Sequence, residues 1–186
     1  MNTPAHAMVN FALLERDENA RWVLAGAVLP DLPNVVFFAY HRVLLGQSAE
    51  EMYSRAFHTN AWQLVMAPFH AMPLVLLLMA MGAVRKSGAI IALALSMLLH
   101  DFADLLTHHS DAHRHLWPLS DWRWASPVSY WERAHHAAVY VPCELGVTIV
   151  ASWIVWRRAP ERWRLLLSVA ANGWLLAAYA TGLAFW

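Results

Sequence analysis

Four apolar segments dominate this chain: residues 60–83, 87–107, 137–157 and 164–186. Each runs for about twenty residues, the length a helix needs to cross the hydrocarbon core of a bilayer. In hydrocarbon every backbone N–H and C=O must be satisfied internally, so such segments fold as helices packed on one another. Composition agrees, with hydrophobic residues at 59% and charged residues at 14%, more apolar than an ordinary soluble domain. The expected fold is all-α: a polytopic membrane helical bundle forming one domain over residues 1–186. It has about four full spans and an N-terminal broken or re-entrant helical hairpin.

The hairpin is read from punctuation. Thr3-Pro4 looks like an N-cap followed by proline at the first helical position. A short helix then runs to about Leu14 and breaks at Glu15-Arg16-Asp17-Glu18-Asn19. Residues 20–45 are apolar but interrupted by Pro30-Asp31-Leu32-Pro33, a broken helix carrying one acid. Residues 46–59 read as a polar connection. The opening MNTPAHAMVN lacks a basic run before its apolar stretch, so no cleaved leader is expected.

Charge distribution sets an expected orientation. The short turns after the first and third long segments hold Arg85, Lys86, Arg157, Arg158, Arg162 and Arg164. Basic short turns stay in the cytoplasm. The His- and Trp-rich loop 108–136 is then expected on the outer face. Eleven tryptophans suit the two interfaces, with Trp22, Trp62, Trp117, Trp122, Trp124, Trp131, Trp156, Trp163 and Trp186 near expected helix ends. Thirteen basic residues balance thirteen acidic ones, so no nucleic-acid-binding field exists. Cys143 is the only cysteine, which excludes an internal disulfide.

Polar residues inside the apolar segments carry the functional expectation, because ionisable groups at membrane depth are expensive. His100 and Asp104 stand four apart, on one helical face. His70 and His100 are symmetric about position 85 in the turn, about 22 Å from it at the helical rise. His6 and Asp31 are symmetric about the break at 17–19, about 19 Å from it. Folding both hairpins brings these residues to one depth. His6, Asp31, His70, His100 and Asp104 are therefore the candidate metal ligands. The set suits Zn²⁺ first, or a pair of divalent ions with an open position for water, and Mn²⁺ or Fe²⁺ also accept it.

Taken in order, His6 in TPAHAMVN, Asp31 in AGAVLPDLPN, His70 in FHAMPL, and His100 with Asp104 in HDFADLLT, followed by Trp117-Pro118, resemble a bacterial family. It is the inner-membrane metal-dependent hydrolases, related to zinc-dependent phospholipase C. The resemblance spans roughly residues 1–118. It implies the inner membrane, a divalent metal and hydrolysis of an amphiphilic, phospholipid-like ester or phosphoester. Residues 108–136 are similar to a subgroup labelled as cobalamin-biosynthesis proteins, yet no nucleotide loop or amidotransferase cysteine supports that label. One position departs from the hydrolase pattern: Ala71 follows His70 where the family has serine. His58 and His41 thus stay open as alternatives for the third ligand.

Other readings remain. Asp101 and His109 are the candidate catalytic proton carriers. His108, His109, Asp111, His113 and His115 form a second metal or phosphate site, or else a solvated loop. Ser129, Tyr130, Trp131, Glu132, His135 and His136 read as a lid or as interfacial packing. Glu144 reads as a partner between helices. The partners expected are the lipid bilayer, a lipid substrate and a membrane-complex subunit. Against the hydrolase stands a non-catalytic metal-binding or structural subunit of a larger membrane complex. An ion or proton carrier is a third reading, weakened by the absence of an internal repeat.

Overall fold

The computed structural model describes residues 1–158 and 161–180. Among them the chain is a helical bundle without strands. Helix α1 is Thr3–Leu14 and α2 is Ala20–Leu44. Residues 49–56 form a short α3. Then come α4 at Asn60–Val84, α5 at Gly88–Thr107, α6 at Ala137–Arg158 and α7 at Arg162–Ala180. Helices α2, α4, α5 and α6 are each long and apolar enough to cross a membrane. Large apolar side chains such as Leu77, Val139, Trp153, Leu166 and Val169 are more than half exposed. In water such a surface would aggregate, whereas in lipid it is the ordinary exterior of a bundle.

The set of spans differs from the sequence expectation in two respects: α2 joins it, and α7, over its described residues, is not among the helices long and apolar enough to cross a membrane. Residues 20–44, expected to be broken, run on as one element long enough to span. A 3₁₀ turn at Leu29–Asp31 absorbs Pro30, and the last turns widen to a π-helix. Of the expected segment 164–186, residues 181–186, Trp186 among them, lie outside the described residues, as do Ala159 and Pro160 of the adjoining turn. The expected polar connection 46–59 is itself largely helical as α3.

Helix α5 is the centre of the bundle. It packs on α4 along one side and on α2 along another, while α1 lies against α2, α6 and α7. Gly26 permits the closest approach. A Cβ there would stand 2.3 Å from the Leu93 carbonyl oxygen and 2.8 Å from Ser96 Cβ. Polar bonds reinforce that contact. Ser96 Oγ donates to the Val23 carbonyl at 2.6 Å, and Asn10 Nδ2 donates to the Ser96 carbonyl at 2.8 Å. Gly26→Ala forces backbone apart and is expected to destabilise the protein by about 1–3 kcal/mol. A lowered unfolding midpoint in detergent checks this; a wild-type midpoint contradicts the close packing.

Two helix irregularities place the functional side chains. The first is at Leu29–Asp31, as the two prolines indicate. The second interrupts α4, where a 3₁₀ turn at Ala67–His70 ends on an extended Ala71. Pro68 and Pro73 flank this break, each removing a backbone donor. The Met72 N–H finds its acceptor in the loop, donating to the His115 carbonyl at 3.0 Å. The loop 108–136 is thereby tied into the bundle rather than left in solvent.

The start of α1 also differs from the expected pattern. Asn2, not Thr3, is the N-cap residue, and neither side chain caps the helix. Asn2 turns to Glu144 and Thr3 donates to Asp31, so tertiary partners outcompete the local cap.

A candidate metal centre around Asp104

Asp104 occupies the last turn of α5, fully buried, and both carboxylate oxygens face histidines. Its Oδ2 lies 3.0 Å from His100 Nε2 and 3.6 Å from His70 Nε2. Its Oδ1 lies 2.8 Å from His6 Nε2 and 3.1 Å from His108 Nε2. The Met1 amino group also stands 2.9 Å from Oδ1. Asp31 closes the first group, with Oδ1 3.8 Å from His100 Nε2.

These contacts resolve into two lobes sharing Asp104. Asp31, His70, His100 and Asp104 each offer a ligand atom, all within 4.8 Å of one another. Asp104, His108 and His113 do the same. Tetrahedral zinc with bonds of about 2.0–2.1 Å would set its ligand atoms about 3.3 Å apart. Three pairs of the first lobe, at 3.0, 3.6 and 3.8 Å, lie around that spacing, and all stay within 4.8 Å.

Protonation logic favours a cation here. His100 Nδ1 lies 2.8 Å from the Ala27 carbonyl, which only accepts, so Nδ1 carries the proton. In the neutral ring Nε2 is then a bare lone pair aimed at carboxylate oxygens. It makes no hydrogen bond among the described residues, and neither do the two ring nitrogens of His70 nor Oδ2 of Asp104. Buried acceptors that face one another are costly unless something positive lies between them. The loop residues match. Burial, with His70 and His108 alongside, pushes His113 well below the ordinary imidazole range. Burial and His70 push His115 down to about 4. Burial would also lower His108, but the carboxylates of Asp111 and Asp104 outweigh it and hold its pKa up at about 9.

The structure brings four of the five expected ligands, Asp31, His70, His100 and Asp104, into one set. His6 shares their depth. Its ring stacks on His100 at 3.6 Å and its Nε2 meets Asp104, but it belongs to neither lobe. The alternatives for the third ligand lie elsewhere. His41 pairs with Gln47 among Phe37, Tyr40 and Trp62, and His58 is exposed beside Phe57.

The expected catalytic pair is not at the centre. Asp101 is fully buried one residue from His100, with both oxygens unpartnered among the described residues, and it is in neither ligand set. His109 Nδ1 contacts the Ser126 carbonyl at 2.7 Å, and its ring stacks on His135 at 3.4 Å. The chain becomes extended at His108, so successive side chains point to opposite sides and His109 faces away. Tyr130 does cover the centre, packing on the His108 ring while its N–H bonds the Thr107 carbonyl.

His108 and His113, read in the sequence as part of a second metal or phosphate site or a solvated loop, meet Asp104 instead of forming a site apart. Their density in the loop was visible in the sequence, but the path returning the loop over α5 was not. Comparison with family models, curated proteins and solved structures finds no match for this chain.

Proposed function

We propose that this protein is a membrane-bound, metal-dependent hydrolase of amphiphilic esters or phosphoesters. The observation that carries the reading is the Asp104 carboxylate, buried between two histidine sets whose lone pairs converge on it. In this reading Asp31, His70, His100 and Asp104 hold one divalent ion, and Asp104, His108 and His113 hold a second. Zinc suits the nitrogen-rich donor sets best, and manganese or iron is also accepted. When bound, such ions lower the pKa of a coordinated water and polarise a phosphoryl or acyl oxygen.

The chain's own residues do the remaining work. The Ala27 carbonyl fixes the His100 tautomer, and the two oxygens of Asp104 divide between the lobes. The buried shell excludes bulk water. The loop that seals the centre must lift for substrate to arrive, which places substrate approach at the loop-bearing end of the bundle. Basic short turns at the opposite end support an orientation with the loop-bearing end at the outer face of a bacterial inner membrane. A phospholipid-like substrate presents its ester at that depth. The resemblance of residues 1–118 to the inner-membrane hydrolases supports the same assignment.

The test is hydrolysis of mixed phospholipid micelles by purified protein reloaded with zinc, manganese or iron. Metal-dependent turnover, abolished in His100→Ala, is expected. No turnover by fully loaded protein on phosphodiester or carboxylic ester bonds would contradict the hydrolase and favour a non-catalytic subunit.

A further inference from the structure

Glu144 is a buried carboxylate in the spanning helix α6, 3% exposed, and the metal centre does not use it. A charge at such a position is expensive unless it is fully donated to, and it marks function by default. Three neutral groups donate to it. The Asn2 backbone N–H reaches Oε1 at 2.7 Å, and Asn2 Nδ2 reaches Oε2 at 2.8 Å. The Tyr179 hydroxyl from α7 also donates to Oε2.

The carboxylate therefore grips both the backbone and the side chain of the residue that begins α1. The next residue, Thr3, donates its hydroxyl to Asp31 Oδ2, leaving Oδ1 turned toward His100. Carboxylate ligands of metals are commonly oriented by such outer hydrogen bonds, and losing the partner weakens metal binding. The contacts form one path: α6 and α7 hold Asn2, Asn2 fixes Thr3, and Thr3 aims Asp31.

We propose that Thr3 and Glu144 are positioning residues for the metal centre, Thr3 orienting Asp31 and Glu144 holding Thr3 in place through Asn2. The assignment rests on the metal-centre reading above. It gives the short α1 a purpose, since α1 connects the distant pair α6 and α7 to the centre on α2 and α5.

The test compares Thr3→Val, Thr3→Ser and Glu144→Gln with wild type. Asn172→Ala serves as the structural control, because Asn172 Nδ2 joins α7 to Ser152 on α6 at 2.8 Å, away from Asn2. Zinc affinity is read by chelator competition and ligand geometry by the visible spectrum of the cobalt-loaded protein. Thr3→Val and Glu144→Gln are each expected to lower affinity about 10- to 100-fold and to shift the cobalt spectrum. The double variant is expected to lose little more than either alone, since both act through Asp31. Thr3→Ser keeps the hydroxyl and wild-type affinity, whereas Asn172→Ala lowers the unfolding midpoint without changing the spectrum. Wild-type affinity and spectrum in both Thr3→Val and Glu144→Gln overturn the positioning roles while the metal centre stands. If Glu144→Gln does not fold, Thr3→Val decides alone. Wild-type protein that binds neither zinc nor cobalt overturns the metal-centre reading and this proposal with it.

Discussion

Replacing Asp104 with alanine empties both lobes of metal, whereas replacing His113 weakens only one. Asp104 is the one residue present in both ligand sets, and its two oxygens face different histidines. Removing an outer-sphere partner already costs roughly 10- to 100-fold in metal affinity, so loss of a shared ligand costs more. The variant also leaves His6, His100 and His108 packed around a void without their carboxylate. Metal retention after dialysis against a weak chelator checks the prediction. Asp104→Ala that still binds one equivalent of metal per chain would mean the lobes do not share Asp104.

Replacing Glu15 alone destabilises the fold strongly, while replacing it together with Arg164 does not. The pair lies at the far end of α1, with Arg164 NH2 2.9 Å from Oε1 and NH1 3.3 Å from Oε2. Both side chains are almost wholly buried, at 2% and 3% exposure, and the guanidinium also lies over the rings of Phe11 and Trp163. Desolvating two ions offsets most of their attraction, so the intact pair adds little net stability. Removing Glu15 takes away the bidentate buried carboxylate and leaves the guanidinium weaker contacts such as Glu161, 4.0 Å from Nε, at an expected cost of about 3–5 kcal/mol. Glu15→Leu is therefore expected to lower the unfolding midpoint sharply, and Glu15→Leu with Arg164→Met to recover most of the loss. A double variant as unstable as the single one would show that the pair itself stabilises the bundle. The pair fixes one end of α1 as the grip of Glu144 fixes the other, and His6 and Thr3 lie on the helix between them.

The long helices and the facing of His70 and His100 were readable from the sequence because they follow from simple arithmetic, whereas α3 and the continuity of α2 were not. Equal distances from a turn put His70 opposite His100, and their rings lie 5.6 Å apart. The same arithmetic placed His6 and Asp31 at that level. It could not distinguish a ligand from its neighbour, because Thr3 and His6, three apart, share one face of α1 and both reach the buried carboxylates. The break at Ala67–His70 was missed because the segment Asn60–Val84 is strongly apolar as a whole, which hides Pro68 and His70 within it. The loop carbonyl of His115 receives the freed Met72 N–H and so offsets part of the cost of that break. His108 and His113 stood in the sequence among candidates for a second metal or phosphate site, but their meeting with Asp104 was unreadable: a returning loop has no periodicity. Its path is set by tertiary bonds such as Ser126 N–H to the His108 carbonyl and Ser126 Oγ to the Leu106 carbonyl.

The metal-to-protein ratio of the detergent-purified chain, reloaded with zinc and desalted, tests the central claim most directly. Elemental mass spectrometry is expected to give about two zinc ions per chain, one for each lobe around Asp104, in a site of the two-ion kind. Protein that is folded by its helical spectrum but carries no zinc, manganese or iron after reloading would contradict the metal centre.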